Sequence, residues 1–166
     1  MTNLHAYPPR GRASLRSGRW SESGRIYLIT FTTRAREPLF AQWETASAAI
    51  RAFSTPSIWR SSRLLCWVLM PDHWHGLVEL GQTGNLSSLI RRIKGRAARA
   101  ANKARSLSGI AVWAGGFHDH ALRADEDLRS VARYVVLNPV RAGLAARVGE
   151  YPFWDAVWLP QEEHRG

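Results

Sequence analysis

Cysteine is almost absent from this chain of 166 residues, with Cys66 as its single representative. One thiol cannot close an internal disulfide, so a small secreted fold held together by disulfides is excluded. No apolar stretch approaches the roughly 18 residues that a membrane-spanning helix needs, and no signal-like apolar segment is present. We therefore expect a cytoplasmic bacterial protein.

Acidic residues are also scarce: 13 Asp and Glu stand against 23 Lys and Arg, which gives a net charge of +10 and a pI near 11.1. A chain so basic is expected to bind polyanions, and to bind them less tightly as salt is added. Residues 91–105 contain no acid, and apolar residues at and before this stretch keep helical spacing, which predicts a helix that is packed on one side and basic on the other. We expect this helix to contact nucleic-acid phosphates, although a solvated charged face is the alternative. The predicted contact residues are Arg91, Arg92, Lys94, Arg96 and Arg99.

The first 25 residues form a second basic stretch, in which arginines are separated by Pro, Gly and Ser. Because this segment has almost no apolar periodicity, it is expected to be a flexible arm, and residues 26–160 are expected to form a single domain. Arginine suits bidentate contact with guanine, so the arginines of this arm could contact DNA. A nonspecific basic tail is the alternative reading.

Two histidines define the first candidate site. The apolar run Leu64 to Leu80 is broken only at Pro71-Asp72, which predicts two strands joined by a tight turn. His73 and His75 lie on the second strand and project from the same face, because side chains alternate along a strand. Two neutral imidazoles on one face can share a divalent ion and leave coordination positions open for catalysis. Ordinary hydrogen-bonded histidines are the alternative.

A tyrosine and an asparagine define the second candidate site. Residues 125–137 have amphipathic helical spacing, and Pro139 is expected to end that helix. Tyr134 and Asn138 are four positions apart, so they are expected to lie on one helical face that offers a phenol and an amide oxygen. Helix chemistry alone favours a core aromatic role for Tyr134 and a helix-terminating role for Asn138 before a turn.

Several ordered motifs together resemble the REP-associated tyrosine transposases, which are single-tyrosine members of the HUH nuclease superfamily. The resemblance covers about Ser14 to Trp158. Two departures are present: Asp72 stands where the family more often has Asn, and the segment Tyr151 to Trp154 varies the usual aromatic ending. The matching motifs are Leu15-Arg-Ser-Gly-Arg19, Tyr27 to Thr33, Pro38-Leu-Phe40, Met70-Pro-Asp-His-Trp-His75, Trp113 with Gly116-Phe-His-Asp-His120, and Tyr134 to Gly143.

The resemblance implies a specific chemistry. His73, His75 and Asn138 would hold a divalent ion, Mg²⁺ or Mn²⁺, and Tyr134 would be the nucleophile. Tyr134 would cut single-stranded DNA at hairpin-forming repeats and remain joined to it as a 5′-phosphotyrosine, from which another 3′-hydroxyl could displace it. The segment that contains Arg16 and Arg19 would read sequence beside the hairpin foot, and a monomer is favoured over a homodimer.

Other functions remain open on the residues alone. A nucleic-acid-binding domain without catalysis would form no covalent adduct, and a metal-dependent hydrolase would cut without using Tyr134. A second His-x-His pair, His118 and His120, could form a rival metal site, but we expect these rings to orient the fold or to touch phosphate.

The predicted fold is α+β: an antiparallel sheet of the ferredoxin-like kind with helices on one face, and the resemblance implies the same HUH single-tyrosine transposase fold. Most tryptophans are expected to be core residues, among them Trp43, Trp59, Trp67 and Trp74. Strands are predicted near 26–33, 63–70, 73–80 and 117–123, and helices near 42–53, 86–103 and 125–137.

Overall fold

The computed structural model describes residues 21–158, which form one five-stranded antiparallel sheet with helices on both of its faces. The strands are β1 (Ile26–Thr32), β2 (Ser62–Met70), β3 (His73–Leu80), β4 (His118–Ala121) and β5 (Trp154–Ala156), and the helices are α1 (Trp43–Phe53), α2 (Leu86–Ala104), α3 (Leu128–Val136) and α4 (Asn138–Arg141). The strand order across the sheet is β4-β1-β3-β2-β5, and every neighbouring pair is antiparallel. The predicted α+β class is confirmed.

Strand β5 and the bounds of α3 differ from the sequence prediction. The short strand Trp154–Ala156 pairs with β2 and was not predicted, because three residues are too few to show a strand period. Helix α3 begins at Leu128 rather than at Asp125. The side chain of Asp127 accepts hydrogen bonds from the backbone N–H groups of Arg129 and Ser130 and so caps the helix at that point.

The expectation that all helices lie on one face of the sheet is wrong. Trp74 and Val78 on β3 pack in the core that contains α1 and α2, whereas the alternate residue Leu77 packs with Val131 and Val135 of α3 on the opposite face. The six residues that end β2, Leu65 to Met70, are all buried, so this strand needs cover on both sides. Helix α3 therefore covers the face to which His73 and His75 belong.

One tryptophan does not pack as predicted. Trp43 begins α1 and is 59% exposed, whereas Trp74 is fully buried and stacks on Phe31 with ring centroids 5.1 Å apart. The Trp43 ring lies against Phe153, with 5.0 Å between the ring centroids. Helical spacing alone did not show that Trp43, the first residue of α1, is largely exposed to solvent.

The start of the described chain is fastened to the domain. The Gly24 N–H donates to the Leu80 carbonyl at 2.6 Å, and the Ser21 hydroxyl accepts from the Leu86 N–H at 3.1 Å. The predicted division after residue 25 stays a prediction, and Arg16 and Arg19 lie outside the described residues. Within residues 21–158, no helix is long and apolar enough to cross a membrane.

Candidate active site

The hydrogen-bonded ladder of the sheet fixes the two histidines of the first candidate site. On β3, His73 pairs with Thr32 of β1 and His75 pairs with Thr30. The two imidazole centroids are 6.5 Å apart on the face that α3 covers. The same-face prediction for His73 and His75 follows from strand alternation, and the register agrees with it.

A carboxylate sets the orientation of the His73 ring. Nδ1 of His73 lies 2.7 Å from Oδ1 of Asp72, and Oδ2 of Asp72 lies 3.0 Å from Nε of Arg36. Because an ionised carboxylate only accepts hydrogen bonds, Nδ1 carries the ring proton and Nε2 keeps its lone pair for a ligand. Burial lowers the pKa of His73, which Asp72 opposes, and the nearby charge of Arg36 lowers it further.

The backbone that presents Arg36 to Asp72 is strained. Ala35 and Arg36 both adopt left-handed conformations, with φ of 54° and 57°. Such conformations cost non-glycine residues about 1–3 kcal/mol each when they are held at functional sites. The segment is fastened to the turn between β2 and β3, because the Thr33 N–H donates to the Asp72 carbonyl at 2.8 Å. Hydrogen bonds therefore hold the Arg36–Asp72–His73 chain in place.

His75 offers a buried ring nitrogen that makes no hydrogen bond to any residue of the described range, 21–158. The Thr30 hydroxyl is hydrogen-bonded to Nδ1 of His75, while Nε2 is buried without a hydrogen-bond partner among the described residues. Burial, followed by the charges of His73 and Arg141, lowers the pKa of His75 to about 4, although a hydrogen bond to the Ile29 backbone opposes this. The ring is neutral at neutral pH, which is the state that binds a metal ion.

Tyr134 lies directly against this histidine. The centroids of the Tyr134 and His75 rings are 6.1 Å apart, and the ring planes meet at 67°. Val131, Ala132 and Val135 form the buried face of α3, and Tyr134 stands half-buried beside it. The sequence predicted that the last helix carries Tyr134 across to the histidines; the structure places the Tyr134 ring against His75, from α3, which α4 follows.

The fit of a divalent ion depends on an amide ligand. No three His, Cys, Asp or Glu side chains that could hold a metal come together in the described part of the chain. His73 and His75 would therefore need a third ligand of another type, and Asn138 carries an amide oxygen four residues beyond Tyr134. Asn138 is half-buried and begins α4, so the helix is interrupted at Leu137 instead of continuing through both residues. The lowered pKa values of His73 and His75, and the buried Nε2 of His75 that has no partner among the described residues, suit a divalent ion, whereas Asn138 as its third ligand stays a prediction.

The predicted DNA-binding helix lies on the opposite face of the sheet from the histidines. Arg91, Arg92 and Arg99 are exposed there. Arg99 also lines a groove between α1 and α2 with Arg96, whose Nη1 donates to Ser57 Oγ at 3.1 Å. These side chains present a basic surface without an acidic residue in the helix.

Lys94 differs from the other basic residues of α2. Its Nζ donates to the carbonyls of Ala114 and Gly116 at 2.7 and 2.8 Å and lies 5.7 Å from the centroid of the Phe31 ring. Partial burial lowers the pKa of Lys94. The ammonium group thus holds the segment that leads into β4, and DNA contact by Lys94 stays a prediction that competes with this structural role.

The second His-x-His pair lies on the same sheet face as the first. Strand β4 pairs His118 with Thr30 and His120 with Leu28, and cross-strand partners share a face. Nε2 of His120 lies 3.0 Å from the Glu126 carboxylate, which also accepts a hydrogen bond from the Arg123 N–H at 2.6 Å. Burial, followed by the charge of Arg123, lowers the pKa of His120. His120 thus braces the connection between β4 and α3, whereas His118 is exposed.

Three residues at this site were not identified from the sequence: Thr30, Arg36 and Arg141. Thr30 reaches His75 through strand pairing, and Arg36 reaches the His73 partner Asp72 through the geometry of its loop. Both contacts link distant parts of the chain. Arg141 had a usable signal, since it lies seven residues, about two helical turns, after Tyr134. Its Cζ lies 4.0 Å from the centroid of the Tyr134 ring.

Comparison with known proteins gives consistent matches. A family model described as transposase IS200 like matches residues 22–137. A REP-associated tyrosine transposase of Escherichia coli (strain K12) is 27% identical over 143 residues, which cover 86% of this chain and 78% of that protein. The structure of a REP-associated tyrosine transposase bound to a REP hairpin matches with a TM-score of 0.64 and 27% identity, covering 84% of this chain and 81% of that one. A crystal structure from Deinococcus radiodurans shares the fold at a TM-score of 0.50 with 18% identity, over 75% of this chain and 97% of the other.

Proposed function

The chain belongs to the IS200-like transposase family and is a transposase, and from that premise we propose that it cuts and rejoins single-stranded DNA through Tyr134. The observation that carries this proposal is the contact of the Tyr134 ring with His75, on the sheet face where His73 also lies. The similar structure that is bound to a REP hairpin supports a hairpin-forming repeat as the DNA partner.

His73, His75 and Asn138 would hold a divalent ion, Mg²⁺ or Mn²⁺, at this face. When bound, such an ion offsets the negative charge that develops on the phosphate in the transition state. The chain prepares the ligands for this task. Asp72 and Thr30 engage the Nδ1 atoms of the two rings, and burial favours their neutral forms.

In the proposed reaction, the Tyr134 hydroxyl attacks the scissile phosphorus and loses its proton to solvent. The bond from phosphorus to the 3′-oxygen breaks and that oxygen takes up a proton from solvent, which leaves a free 3′-hydroxyl and a 5′-phosphotyrosine. One phosphodiester replaces another, so the bond energy is retained, and a second 3′-hydroxyl can displace Tyr134 without ATP. The outcome is strand transfer, in contrast to hydrolysis.

We also propose how the chain holds its DNA. The exposed arginines of α2 would bind phosphates, and Arg16 and Arg19 of the proposed arm, residues 1–25, would contact the DNA beside the hairpin. Because α2 and Tyr134 lie on opposite faces of the sheet, a single DNA molecule that engages both must pass around an edge of the domain. The proposed catalytic domain spans residues 26–160 and would act as a monomer.

The test uses labelled single-stranded hairpin oligonucleotides with Mg²⁺, Mn²⁺ or EDTA, resolved on a denaturing gel. We expect metal-dependent cutting and a covalent protein adduct with the wild type and with Tyr27→Phe, and neither product with Tyr134→Phe. Tyr27 is the matched control, because its hydroxyl accepts a hydrogen bond from the Glu22 N–H at the end of β1 that is far from the histidines. Binding without cutting would indicate a binding module, and cutting that persists in Tyr134→Phe would indicate attack by water.

A further inference from the structure

Arg141 holds the side chain and the backbone of Tyr134 at the same time. Its guanidinium carbon lies 4.0 Å from the centroid of the Tyr134 ring, and its Nη2 donates to the Tyr134 carbonyl at 2.7 Å. We propose that Arg141 is a positioning residue that fixes the Tyr134 ring for attack on DNA. This inference rests on the proposed role of Tyr134 as the nucleophile.

The helix break makes this contact possible. Tyr134 is among the last four residues of α3, and the carbonyls of such residues lack partners within an ideal helix. Pro139 has no N–H to donate to the Val135 carbonyl four residues earlier, so α3 cannot continue through it. The short helix α4 instead returns Arg141 toward Tyr134, and its guanidinium supplies a donor to the carbonyl. The break is therefore part of the arrangement that places Arg141.

The Tyr134 ring is held from two directions. The His75 ring meets it at 67°, whereas the guanidinium of Arg141 lies over it. A half-buried phenol without such contacts would exchange among rotamers, and each exchange would move the hydroxyl away from the phosphorus. A nucleophile that is misplaced by about 1 Å can react about a hundredfold more slowly, so contacts that restrict the ring affect the reaction rate.

The geometry favours positioning over simple DNA attraction. A phosphate-binding arginine needs only to be exposed, as Arg99 and Arg147 are. Arg141 is exposed as well, but its guanidinium lies over the Tyr134 ring. One N–H of the same guanidinium donates to the Tyr134 carbonyl. Lysine would keep the positive charge but lacks the planar guanidinium that stacks on the ring. Arg141→Lys therefore distinguishes an effect of charge from an effect of ring positioning.

The experiment measures adduct formation in a single turnover at several DNA concentrations for the wild type, Arg141→Gln, Arg141→Lys and Arg147→Gln. Arg147 is the matched control, because it is an exposed arginine of the following segment whose partner is Glu150. We expect both Arg141 variants to form adduct about tenfold to a hundredfold more slowly at saturating DNA. Their affinity for DNA should equal that of Arg147→Gln.

A second measurement observes the ring itself without DNA. In protein with ¹³C-labelled tyrosine, the Tyr134 signals are those that disappear in Tyr134→Phe. We expect these signals to shift in both Arg141 variants and to stay in place in Arg147→Gln. Thermal melting confirms folding, and Arg141→Lys decides the question if Arg141→Gln is unfolded.

The outcomes separate the two proposals. A wild type that forms adduct, together with Arg141 variants that are slow at saturation, supports both. If the Arg141 variants keep the wild-type rate at saturation, or lose only affinity, the inference is overturned while the role of Tyr134 stands. A wild type that forms no adduct overturns both proposals.

Discussion

The Asp72 carboxylate lies between two partners: Nδ1 of His73 at 2.7 Å and Nε of Arg36 at 3.0 Å. A carboxylate that accepts a hydrogen bond from a metal-binding histidine fixes the tautomer of the ring. It also makes the other ring nitrogen a stronger ligand for a metal ion. An asparagine, which the family more often has at this position, could also accept a hydrogen bond from His73. It would carry no negative charge to pair with Arg36. Asp72 therefore gives this chain a charged support for its proposed metal site.

The first prediction concerns this support. Asp72→Ala should weaken Mn²⁺ binding by about tenfold to a hundredfold, since loss of such a partner leaves the imidazole free to rotate. Asp72→Asn should weaken it less, because the amide oxygen still accepts the Nδ1 proton. Isothermal titration of the protein with Mn²⁺ in the absence of DNA measures both. Asp155→Asn removes one exposed carboxylate elsewhere and should leave binding unchanged; equal affinities for Asp72→Ala and wild type would contradict the prediction.

The second prediction separates two basic residues of α2. Arg99→Gln should weaken DNA binding. It should also make the slope of log affinity against log salt concentration shallower, by the amount that roughly one phosphate contact contributes. Lys94→Gln should instead lower the free energy of unfolding by about 1–3 kcal/mol, because its ammonium group holds the carbonyls of Ala114 and Gly116. Fluorescence anisotropy at several salt concentrations and denaturant unfolding measure the two effects. A stable Lys94→Gln with a reduced salt slope would reassign Lys94 to DNA.

The third prediction concerns the glycine that follows His75. A Cβ at Gly76 would lie 2.5 Å from the Trp74 ring and 2.9 Å from the Cys66 carbonyl, both of which are fixed in the sheet. Gly76→Ala should therefore lower the free energy of unfolding by about 1–3 kcal/mol, as overpacking does in a filled core. Gly115→Ala is the control, because a Cβ there meets nothing within 4 Å. Equal denaturation midpoints for the two variants would show that the sheet relaxes around the methyl group.

The candidate site shows what the sequence could and could not predict. His73 and His75 share a face because a strand alternates, and that rule needs no tertiary information. The apolar stripe of α3 shows that the helix packs, but the same stripe fits either face of a sheet in which β2 is buried on both sides. Thr30 and Arg36 reach the histidines through strand register and a strained loop, neither of which leaves a local pattern in the sequence.

The fourth prediction uses Cys66, the single thiol, as a probe of the sheet face that α3 covers. Cys66 is buried in the cluster that contains Leu77 and Val135, and burial raises the pKa of its thiol to about 12, against a small opposing effect from the Leu77 backbone. Because the thiolate is the reactive form, Cys66 should resist a thiol reagent at pH 8 in the folded protein and react at once in denaturant.

The raised pKa of Cys66 also sets the direction of a pH effect. Above the ordinary thiol pKa of 9.0 the unfolded chain releases this proton while the folded protein keeps it, so this contribution to stability falls as pH rises toward 12. Each pH unit in that window should cost about 1.4 kcal/mol of unfolding free energy relative to Cys66→Ala, which has no thiol to ionise. Urea unfolding of both proteins at pH 8 and pH 10 measures the difference. A constant gap between them, or rapid labelling of the native protein, would mean that solvent reaches the Cys66 thiol in the folded protein.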